Sequence, residues 1–565
     1  MFVSNMGKKL QKRSDIKFKI VDNNLPMNNP LRTYLSEKPE SGTNPAKKKN
    51  PNLVPLKYSY PSNPKVLLIN PPLCIPPGQI KRCIPPMGIT YIGAYLRSVG
   101  IQVQLLDCII EGWGNEELIN SENNIYSYGL PPKAIERYLL NEKPDIIGLS
   151  HTFSQDIIHI YRIARIVKRC LPHSIVVVGG LHPTIYPRET LEGSFENGKP
   201  SIDFILRGEG EKRLAYFVKC AGRGMVDKNA DGLVGFFNGE YVSNPEIEKI
   251  EDLDKLPFPA YDLLPLGKYF EICVPSNPFP IGKRVMAIYT HRGCPIGCTF
   301  CSSTNLNKKF RARSAQNVYE EIKYYIEKYG VDEIQFADDN LTLNYKRAME
   351  IFEKITPLNI KWCTPNGTMV NSWKPEISEA AVRSGLYQVT LAVDGVSRAS
   401  HNLTRKPVKL AVLPEKIKFF RELGTLVHAF VMVGIPGETK DQLLEGLEFL
   451  KTLDFTSISV FMAQPYPGSE LYETELNKGN IIKEDGFIVN KSRSNFKKML
   501  INTDELEKII HEFTMEFEKI SKSHDPELWK NRYEPQLKRF EKSELQLIIG
   551  KGIRSDVLFE AWKLT

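Results

Sequence analysis

Short runs of apolar residues alternate with helix-like stretches over the first part of the chain. The apolar runs lie at 65–70, 101–107, 145–150, 174–180 and 203–208. Runs of this length without alternating polar positions are typical of strands buried on both faces of a parallel sheet. Between them apolar residues recur with helical spacing, as at 88–97, and Gly100 stands where a helix C-terminal glycine belongs. The pattern predicts an open parallel α/β sheet.

A second series of the same kind follows Leu256-Pro-Phe-Pro-Ala260, a proline-rich segment that predicts a linker. Its apolar runs lie at 284–290, 333–336, 360–363, 387–393, 426–433 and 457–461. Helical stretches such as 315–328 separate these runs. About six βα units are typical of a partial barrel, in which functional groups lie on the loops after the strands. Beyond about residue 476 the chain is charged, and it predicts a helix over 504–522.

These patterns divide the chain into five predicted segments. They are a basic, flexible leader at 1–60, an α/β domain at 61–250, a linker at 251–283, a partial TIM-type (β/α)6 barrel at 284–475 and a small, mostly helical region at 476–565. The last segment carries no recognisable motif, and it is a candidate for substrate binding.

Composition is that of an ordinary globular protein, with 42% hydrophobic and 25% charged residues among 565. No run reaches the ~18 apolar residues of a membrane span, and no secretory signal is recognised, so we expect a cytoplasmic protein. The net charge of +9 arises mainly at 1–60, which hold 12 Lys and Arg against 4 Asp and Glu. We interpret this leader as a solvated tail rather than a nucleic-acid-binding arm.

Glycine and small polar residues follow the predicted strands of the first series. In an open parallel sheet, ligands bind outside the carboxyl ends of the strands. Those ends read Asn70-Pro71-Pro, Ser150-His-Thr152, Gly179-Gly180-Leu-His182-Pro-Thr184 and Arg207-Gly208-Glu209-Gly-Glu211. They suit a large polar cofactor. A plain dinucleotide domain is not expected, because Gly-x-Gly-x-x-Gly should follow the first strand and Asn-Pro-Pro stands there instead.

Three of the ten cysteines lie within eight residues, directly after the first strand of the second series. Cys294, Cys298 and Cys301 have the spacing C-x3-C-x2-C. Three close thiolates on a glycine-bearing loop can hold an iron–sulfur cluster, and in a 4Fe–4S cluster they leave one iron open for chemistry. A structural zinc site needs four ligands, whereas only one C-x2-C step is present and the nearest histidine, His291, precedes the loop. Zinc and plain buried cysteines are the weaker alternatives.

This cysteine loop resembles that of the radical S-adenosylmethionine (SAM) superfamily. The resemblance implies that Cys294, Cys298 and Cys301 hold a 4Fe–4S cluster, whose fourth iron binds SAM through its amino and carboxylate groups. Reduction by one electron would then cleave SAM to methionine and a 5′-deoxyadenosyl radical. Phe300, before the last cysteine, is implied to pack near the adenine.

Further motifs follow in the order of that superfamily. Asp338 and Asp339, after the second strand, are implied to face the methionine amino group; taken without the other motifs, the pair would also suit a helix cap. Gly434 and Pro436 lie in Gly-Ile-Pro-Gly-Glu-Thr after the fifth strand, which resembles the adenine-side turn. Asp394 replaces the carboxylate that many relatives carry after the fourth strand, so it is a candidate ribose contact. The segments 310–314 and 465–472 also resemble family elements.

Residues 64–220 resemble the cobalamin-binding domain, Rossmann-like and flavodoxin-like in fold, that precedes many radical SAM barrels. The resemblance implies cobalamin contacts at the strand ends, from Asn70, Pro71, Ser150, Thr152, Gly179, Gly180, His182, Thr184, Gly208 and Glu209. For His182, a structural role is as well supported by the sequence as a contact to cobalamin. The first-strand loop lacks Asp-x-His-x-x-Gly, so no histidine ligand to cobalt is expected from it.

The domain order is similar to that of cobalamin-dependent radical SAM methyltransferases. It implies an enzyme that transfers a methyl group from methylcobalamin to an unactivated carbon, or phosphorus, of a small-molecule or peptide substrate in a biosynthetic pathway. The strand ends of the two domains should then face each other, with Asp338, Asp339, Asp394, His401 and Arg405 as candidate orienting groups. The alternatives are rearrangement or cyclisation, non-radical methylation of an sp2 carbon, RNA modification and a non-catalytic sensor. We expect flavodoxin or ferredoxin as electron donor, and neither nucleic acid nor membrane as partner.

Overall fold

Two sheets of mainly parallel strands organise the molecule, and the first lies in the N-terminal half of the chain. The computed structural model describes residues 52–75, 81–121, 125–482 and 495–533. The seven strands of the first sheet, in spatial order, are Glu240–Ser243, Leu233–Phe237, Phe204–Leu206, Ile175–Gly179, Ile146–Ser150, Val66–Asn70 and Val103–Asp107. The five predicted strands are parallel and have the order 2-1-3-4-5, which is the flavodoxin-like order. This confirms the predicted fold class.

The other two strands form an antiparallel hairpin at one edge that was not predicted. Leu206 pairs in antiparallel register with Leu233, and Phe237 pairs with Glu240 across a two-residue turn. The turn is Asn238-Gly239, and both residues have positive φ, 51° and 86°. Asn-Gly between two apolar runs is a strong hairpin signal, so the sequence contained the information that our prediction missed.

Helices cover both faces of this sheet, which explains its continuous apolar strands. Val66, Leu67, Leu68 and Ile69 are each at most 2% exposed. The helices of this unit are Met87–Ser98, Cys108–Glu111, Pro132–Glu142, Ile157–Cys170, Leu181–Ile185, Pro187–Glu192 and Gly210–Ala221. Three short strands, Leu73–Ile75, Glu116–Asn120 and Ile125–Tyr128, form a small separate sheet.

The second sheet is the predicted partial barrel of six parallel strands. They follow in chain order as Val285–Ile288, Glu333–Phe336, Lys361–Cys363, Leu386–Ala392, Leu426–Val433 and Ser457–Met462. The helices around it are Ala315–Tyr329, Tyr345–Ile355, Pro375–Arg383, Arg398–Thr404, Leu413–Glu422, Lys440–Lys451 and Glu470–Asn477. Because the strands are parallel, the loops after them lie at one edge of the sheet.

The predicted linker is packed between the two sheets. It contains the helix Leu266–Ile272, and Tyr261 is fully buried. The Tyr269 hydroxyl donates a hydrogen bond to Asp107 of the first sheet. One apolar cluster includes Val66 and Leu68 of the first sheet together with Met286 and Ile288 of the barrel. The linker fills the interface because its aromatic residues complete this shared core.

Part of the predicted leader at 1–60 lies within the described residues. Leu53–Pro55 pairs in antiparallel register with Met225–Asp227, so backbone hydrogen bonds hold it against the first unit. The rest of the predicted leader, through residue 51, lies outside the described residues.

A long helix confirms the prediction for the C-terminal region. It spans Thr503–His524 and buries Leu506, Phe513 and Phe517. The Ser521 hydroxyl donates to the Thr456 carbonyl oxygen at 2.8 Å, which fixes the helix beside the last barrel strand. Among the described helices, none has the length and apolar character needed to cross a bilayer.

Candidate cofactor site between the two sheets

The carboxyl ends of the two sheets face a shared cavity of about 410 Å³. Six of the predicted cobalamin contacts line it, namely Ser150, Thr152, Gly179, Gly180, Gly208 and Glu209. From the barrel, Tyr289, His291, Arg292, Gly293, Asn307 and Asp339 also line it. The predicted opposition of the strand ends is therefore present, and both units contribute to one cavity.

Two glycines at this cavity occupy positions that a side chain would disturb. Gly180 has φ 115° and ψ −171°, and a Cβ there would lie 2.2 Å from the His151 carbonyl oxygen. Gly208 has φ 72°, and a Cβ there would lie 2.1 Å from the Glu246 carboxylate. Thr184 ties the two loops together, because its hydroxyl donates to the Gly180 carbonyl oxygen and accepts from the Gly208 N–H. Bare backbone lets a large ligand approach closely.

The other predicted cobalamin contacts lie behind the cavity wall. His182 is buried, and its Nδ1 lies 2.8 Å from the Ser154 hydroxyl. Burial and the nearby His151 lower the pKa of His182, so the ring is neutral. Asn70 donates to Asp107 at 2.8 Å, and neither Asn70 nor Pro71 is among the cavity-lining residues. These contacts favour a supporting role for His182, Thr184 and the first-strand loop.

The cysteine loop begins at the barrel side of the same cavity. Gly293, which lines the cavity, has φ 88°, and a Cβ there would lie 2.3 Å from the Lys309 carbonyl oxygen. The Cys294 N–H donates to the Asn307 carbonyl oxygen at 3.0 Å, and the Thr299 N–H donates to Thr404 at 2.9 Å. The loop is thus held from both sides, and it carries all three thiols.

The three thiols fit a cluster better than a single ion. None forms a disulfide, and Cys298 is the most buried of them. Burial raises the pKa of Cys298 to about 11 and also raises the pKa of Cys294, so cationic iron would have to stabilise their thiolates. Within the described residues, no group of three His, Cys, Asp or Glu side chains surrounds one point as in a zinc site. A cluster differs because each thiolate binds its own iron.

Phe300 and the Gly434 turn lie in one apolar environment. Phe300 packs against the cluster of Met432, Ile435, Ala463 and Phe496. Gly434 starts the turn with φ 72°, and its N–H donates to the Glu438 carboxylate at 2.8 Å. Pro436 lies half-buried in the same turn. This arrangement fits the adenine-side role that the family resemblance implies for these residues.

Asp338 and Asp339 have different surroundings. The Asp338 carboxylate is buried and accepts from the Thr290 N–H and hydroxyl, both at 2.6 Å, and from the His291 N–H. Although burial opposes it, the charge of His291 and these hydrogen bonds lower the pKa of Asp338. Asp339 is exposed and lines the cavity. Asp339 is therefore the better candidate for direct cofactor contact, and Asp338 fixes the end of the first barrel strand.

This difference gives a paired prediction. Asp338→Asn should lower the free energy of unfolding by about 2 kcal/mol, because a buried carboxylate that accepts several hydrogen bonds is lost.

Asp339→Asn should leave stability unchanged and weaken SAM binding about tenfold. Chemical denaturation and equilibrium SAM binding measure the two effects. Unchanged SAM affinity in Asp339→Asn would contradict the assignment of Asp339 as a contact to SAM.

Asp394 lies in the left-handed conformation, with φ 47°, and its carboxylate accepts from Lys406 at 2.6 Å. Thr404, two residues before Lys406, accepts from the Thr299 N–H of the cysteine loop, and the Lys406 ammonium opposes the rise that burial causes in the pKa of Cys298. His401 binds the Val393 carbonyl oxygen, and Arg405 pairs with Glu470. The sequence analysis did not predict a role for Lys406, the partner of Asp394, although Lys406 directly follows the candidate residue Arg405.

Comparisons with known proteins agree with this architecture. The family model "B12 binding domain" matches residues 78–218, and "Radical SAM superfamily" matches residues 288–450. Cytidylyl-2-hydroxyethylphosphonate methyltransferase of Streptomyces wedmorensis is 30% identical over 467 residues, covering 78% of this chain and 86% of that protein. Anaerobic magnesium-protoporphyrin IX monomethyl ester cyclase of Rubrivivax gelatinosus is 25% identical, covering 78% of each chain.

A solved structure supports the fold. The radical SAM methyltransferase TsrM of Kitasatospora setae, with cobalamin and a [4Fe–4S] cluster bound, matches with a TM-score of 0.58 and 15% identity. The match covers 75% of this chain and 80% of that chain. The cofactors of this protein are a 4Fe–4S cluster, SAM and cobalamin, because it carries both the B12-binding and the radical SAM domain. By its domains and its 30% identity to a methyltransferase over most of both lengths, the chain belongs to the family of cobalamin-dependent radical SAM methyltransferases.

Proposed function

We propose that the enzyme methylates a carbon atom of a small-molecule substrate that binds at the cavity between the two sheets. The observation that carries this proposal is the composition of the cavity wall. Glycines of the B12-binding domain and the first residues of the cysteine loop line the same space. A methyl donor and a SAM-cleaving centre placed on either side of one cavity can both reach a substrate between them.

We assign the residues as follows. Cys294, Cys298 and Cys301 hold the cluster, and Phe300 with the Gly434 turn forms the adenine pocket. Asp339 hydrogen-bonds the methionine part of SAM, and Asp394, paired with Lys406, lies toward its ribose. When bound, these cofactors supply the chemistry, since the reduced cluster provides the electron that cleaves SAM and cobalamin carries the methyl group.

The chain's own residues orient the reactants and exclude water. The glycine loops at Gly180 and Gly208 would admit cobalamin to the strand ends, where Ser150 and Thr152 would offer hydroxyl groups for hydrogen bonds. Apolar residues such as Leu149, Met87 and Leu206 line the same cavity and keep water from reactive species. Because the first-strand loop Asn70-Pro71-Pro contains no histidine, we expect no histidine ligand to cobalt from it.

A small molecule is favoured over a peptide or RNA. The Streptomyces wedmorensis relative is named for a cytidylyl phosphonate substrate, so we propose a phosphorus-containing small molecule as the first class to test. An electron donor such as flavodoxin or ferredoxin is required to reduce the cluster, and we place the reaction in the cytoplasm, where such donors act.

The test is product analysis with a labelled methyl group. Protein reconstituted with iron, sulfide and hydroxocobalamin is incubated with SAM carrying a deuterated methyl group, a reductant and cytidylyl-2-hydroxyethylphosphonate. We expect a product that is heavier by one labelled methyl group, together with 5′-deoxyadenosine and S-adenosylhomocysteine. Labelled methyl on an added peptide or RNA, and not on small molecules, would overturn the substrate class.

The same assay separates methylation from ring closure. The cyclase relative at 25% identity makes cyclisation the second candidate. Cyclisation would give 5′-deoxyadenosine and a substrate that has lost hydrogen, without labelled methyl in the product. Cys170→Ala protein serves as a positive control, because this half-exposed cysteine lies at the end of a helix far along the chain from the cysteine loop.

A further inference from the structure

Four charged side chains join the B12-binding domain to the cysteine loop. The Arg292 guanidinium lies 2.5 Å from the Glu211 carboxylate and 3.4 Å from that of Glu209. The Arg311 guanidinium lies 2.6 Å from Glu209. We call these four residues the interdomain clamp. Both glutamates line the cavity, Glu209 at the N-cap and Glu211 in the first turn of the helix Gly210–Ala221, whereas the arginines flank the three cysteines in sequence.

The clamp holds both ends of the cysteine loop. Arg292 immediately precedes Gly293 and Cys294, and Arg311 donates to the Asn307 side chain at 3.1 Å. The Asn307 carbonyl oxygen in turn accepts from the Cys294 N–H. Asn307, Gly293 and Arg292 also line the cavity. The same stretch of backbone therefore presents the thiols on one side and forms the cavity wall on the other.

Three of the four clamp side chains are largely shielded from water, whereas that of Arg292 is 21% exposed. The side chains of Arg311 and Glu211 are 2% and 5% exposed, and that of Glu209 is 14% exposed. The Arg292 guanidinium also stacks over the Tyr91 ring, with 5.6 Å from Cζ to the ring centroid, and Tyr91 belongs to the first-domain helix Met87–Ser98. Buried ion pairs hold their geometry closely, since a displaced partner leaves an unpaired charge in a poor solvent.

We propose that the interdomain clamp couples the two cofactor sites, so that cobalamin binds more tightly when the cluster is present and the cluster more tightly when cobalamin is present. Arg292, Gly293 and Asn307 hold the cysteine loop and also line the cavity, so each cofactor would restrain the same stretch of backbone. The cofactor that binds first leaves less motion in this backbone for the second to restrict. Coupling of this kind is reciprocal and is usually 5- to 150-fold, so we expect at least about fivefold here.

The test measures binding and not turnover. Hydroxocobalamin is titrated anaerobically into wild-type protein reconstituted with iron and sulfide, and into the same protein without a cluster. The ratio of the two dissociation constants is the coupling factor. We expect a ratio of about five or more, and we expect bound hydroxocobalamin to raise the fraction of cluster retained at equilibrium with an iron chelator. A wild-type ratio of one would overturn the proposal.

Glu211→Gln removes one charge of the clamp and preserves side-chain shape, so the ratio should fall toward one. Arg97→Ala is the matched control, because Arg97 also pairs beyond the B12-binding domain, with Asp262 of the linker at 2.6 Å, but the pair is half-exposed and neither residue lines the cavity. Its ratio should equal that of the wild type. If Glu211→Gln does not fold, Arg292→Lys replaces it with the same expectation of a lower ratio. A clamp variant that weakens both affinities equally, leaving the ratio unchanged, would contradict coupling.

The inference rests on the proposed assignment of the cysteines and the cavity, and its failure is distinguishable from theirs. If the three cysteines do not hold the cluster, reconstituted wild-type protein shows no iron–sulfur absorbance. If cobalamin does not occupy the cavity, Glu211→Gln leaves both dissociation constants unchanged. Failure of the clamp alone would leave both cofactors bound with independent affinities.

Discussion

Cys298→Ala protein is expected to bind no 4Fe–4S cluster and to lose methyl transfer by about 10³-fold or more, because the cofactor carries the difficult chemistry. Cys298 is the middle and most buried of the three thiols on the loop. Two remaining thiolates on this loop cannot hold three of the four irons. The broad absorbance at about 400 nm that thiolate-bound clusters show should disappear after reconstitution.

The same variant should still bind hydroxocobalamin at saturating concentration, because Cys298 is not among the residues that line the cavity. Iron analysis and anaerobic absorbance spectra measure the loss, and desalting measures retained cobalamin. Cys170→Ala provides the matched control and should keep wild-type spectra. A full complement of cluster in the triple variant with alanine at 294, 298 and 301 would refute the assignment of the ligands.

The second large effect is expected for Gly180→Ala, which should weaken cobalamin binding about 10- to 100-fold. With φ 115° and ψ −171°, Gly180 lies in a region that is essentially restricted to glycine and that costs other residues about 1–3 kcal/mol. A methyl group there would also lie 2.2 Å from the His151 carbonyl oxygen, so the backbone must shift. The shift displaces the loop that lines the cavity.

Gly198→Ala separates backbone strain from damage to the cavity. Gly198 also has positive φ, 73°, but a Cβ there meets nothing within 4 Å, and the residue lies in the short turn between Phe195–Glu196 and Lys199–Pro200. We expect a small loss of thermal stability and unchanged cobalamin affinity. Equilibrium titration of both variants with hydroxocobalamin is the measurement, and equal affinities in Gly180→Ala and wild type would contradict a cofactor at this loop.

Local patterns were sufficient where secondary structure and chemistry depend on neighbouring residues. The strands Glu333–Phe336 and Leu426–Val433 were predicted to the residue, because continuous apolar runs have few alternatives inside an α/β unit. The three cysteines lie within one loop, so their spacing was also sufficient to predict a shared ligand site. The edge hairpin was not predicted, although the dipeptide Asn238-Gly239 between two apolar runs is a strong local signal for a hairpin turn.

The side-chain contacts between segments far apart in the chain could not be predicted from local patterns. Nothing near Asp338 or Asp339 indicates which carboxylate faces the cavity, since that depends on Thr290 and His291 of another strand. The pairing of Lys406 with Asp394, and of Arg292 with Glu211, joins residues 12 and 81 positions apart. The burial of Tyr261 in the predicted linker likewise exists only when both sheets are assembled.

The sequence alone determined the two α/β units, the thiolate loop and the family, because apolar periodicity and ligand spacing are properties of short stretches of chain. The tertiary structure decided which residues share the cavity, which carboxylates are engaged and how the glycine loop is tied to the cysteine loop. Those properties depend on ion pairs and packing between segments far apart in the chain, whose geometry is set only when the two sheets bury a common core.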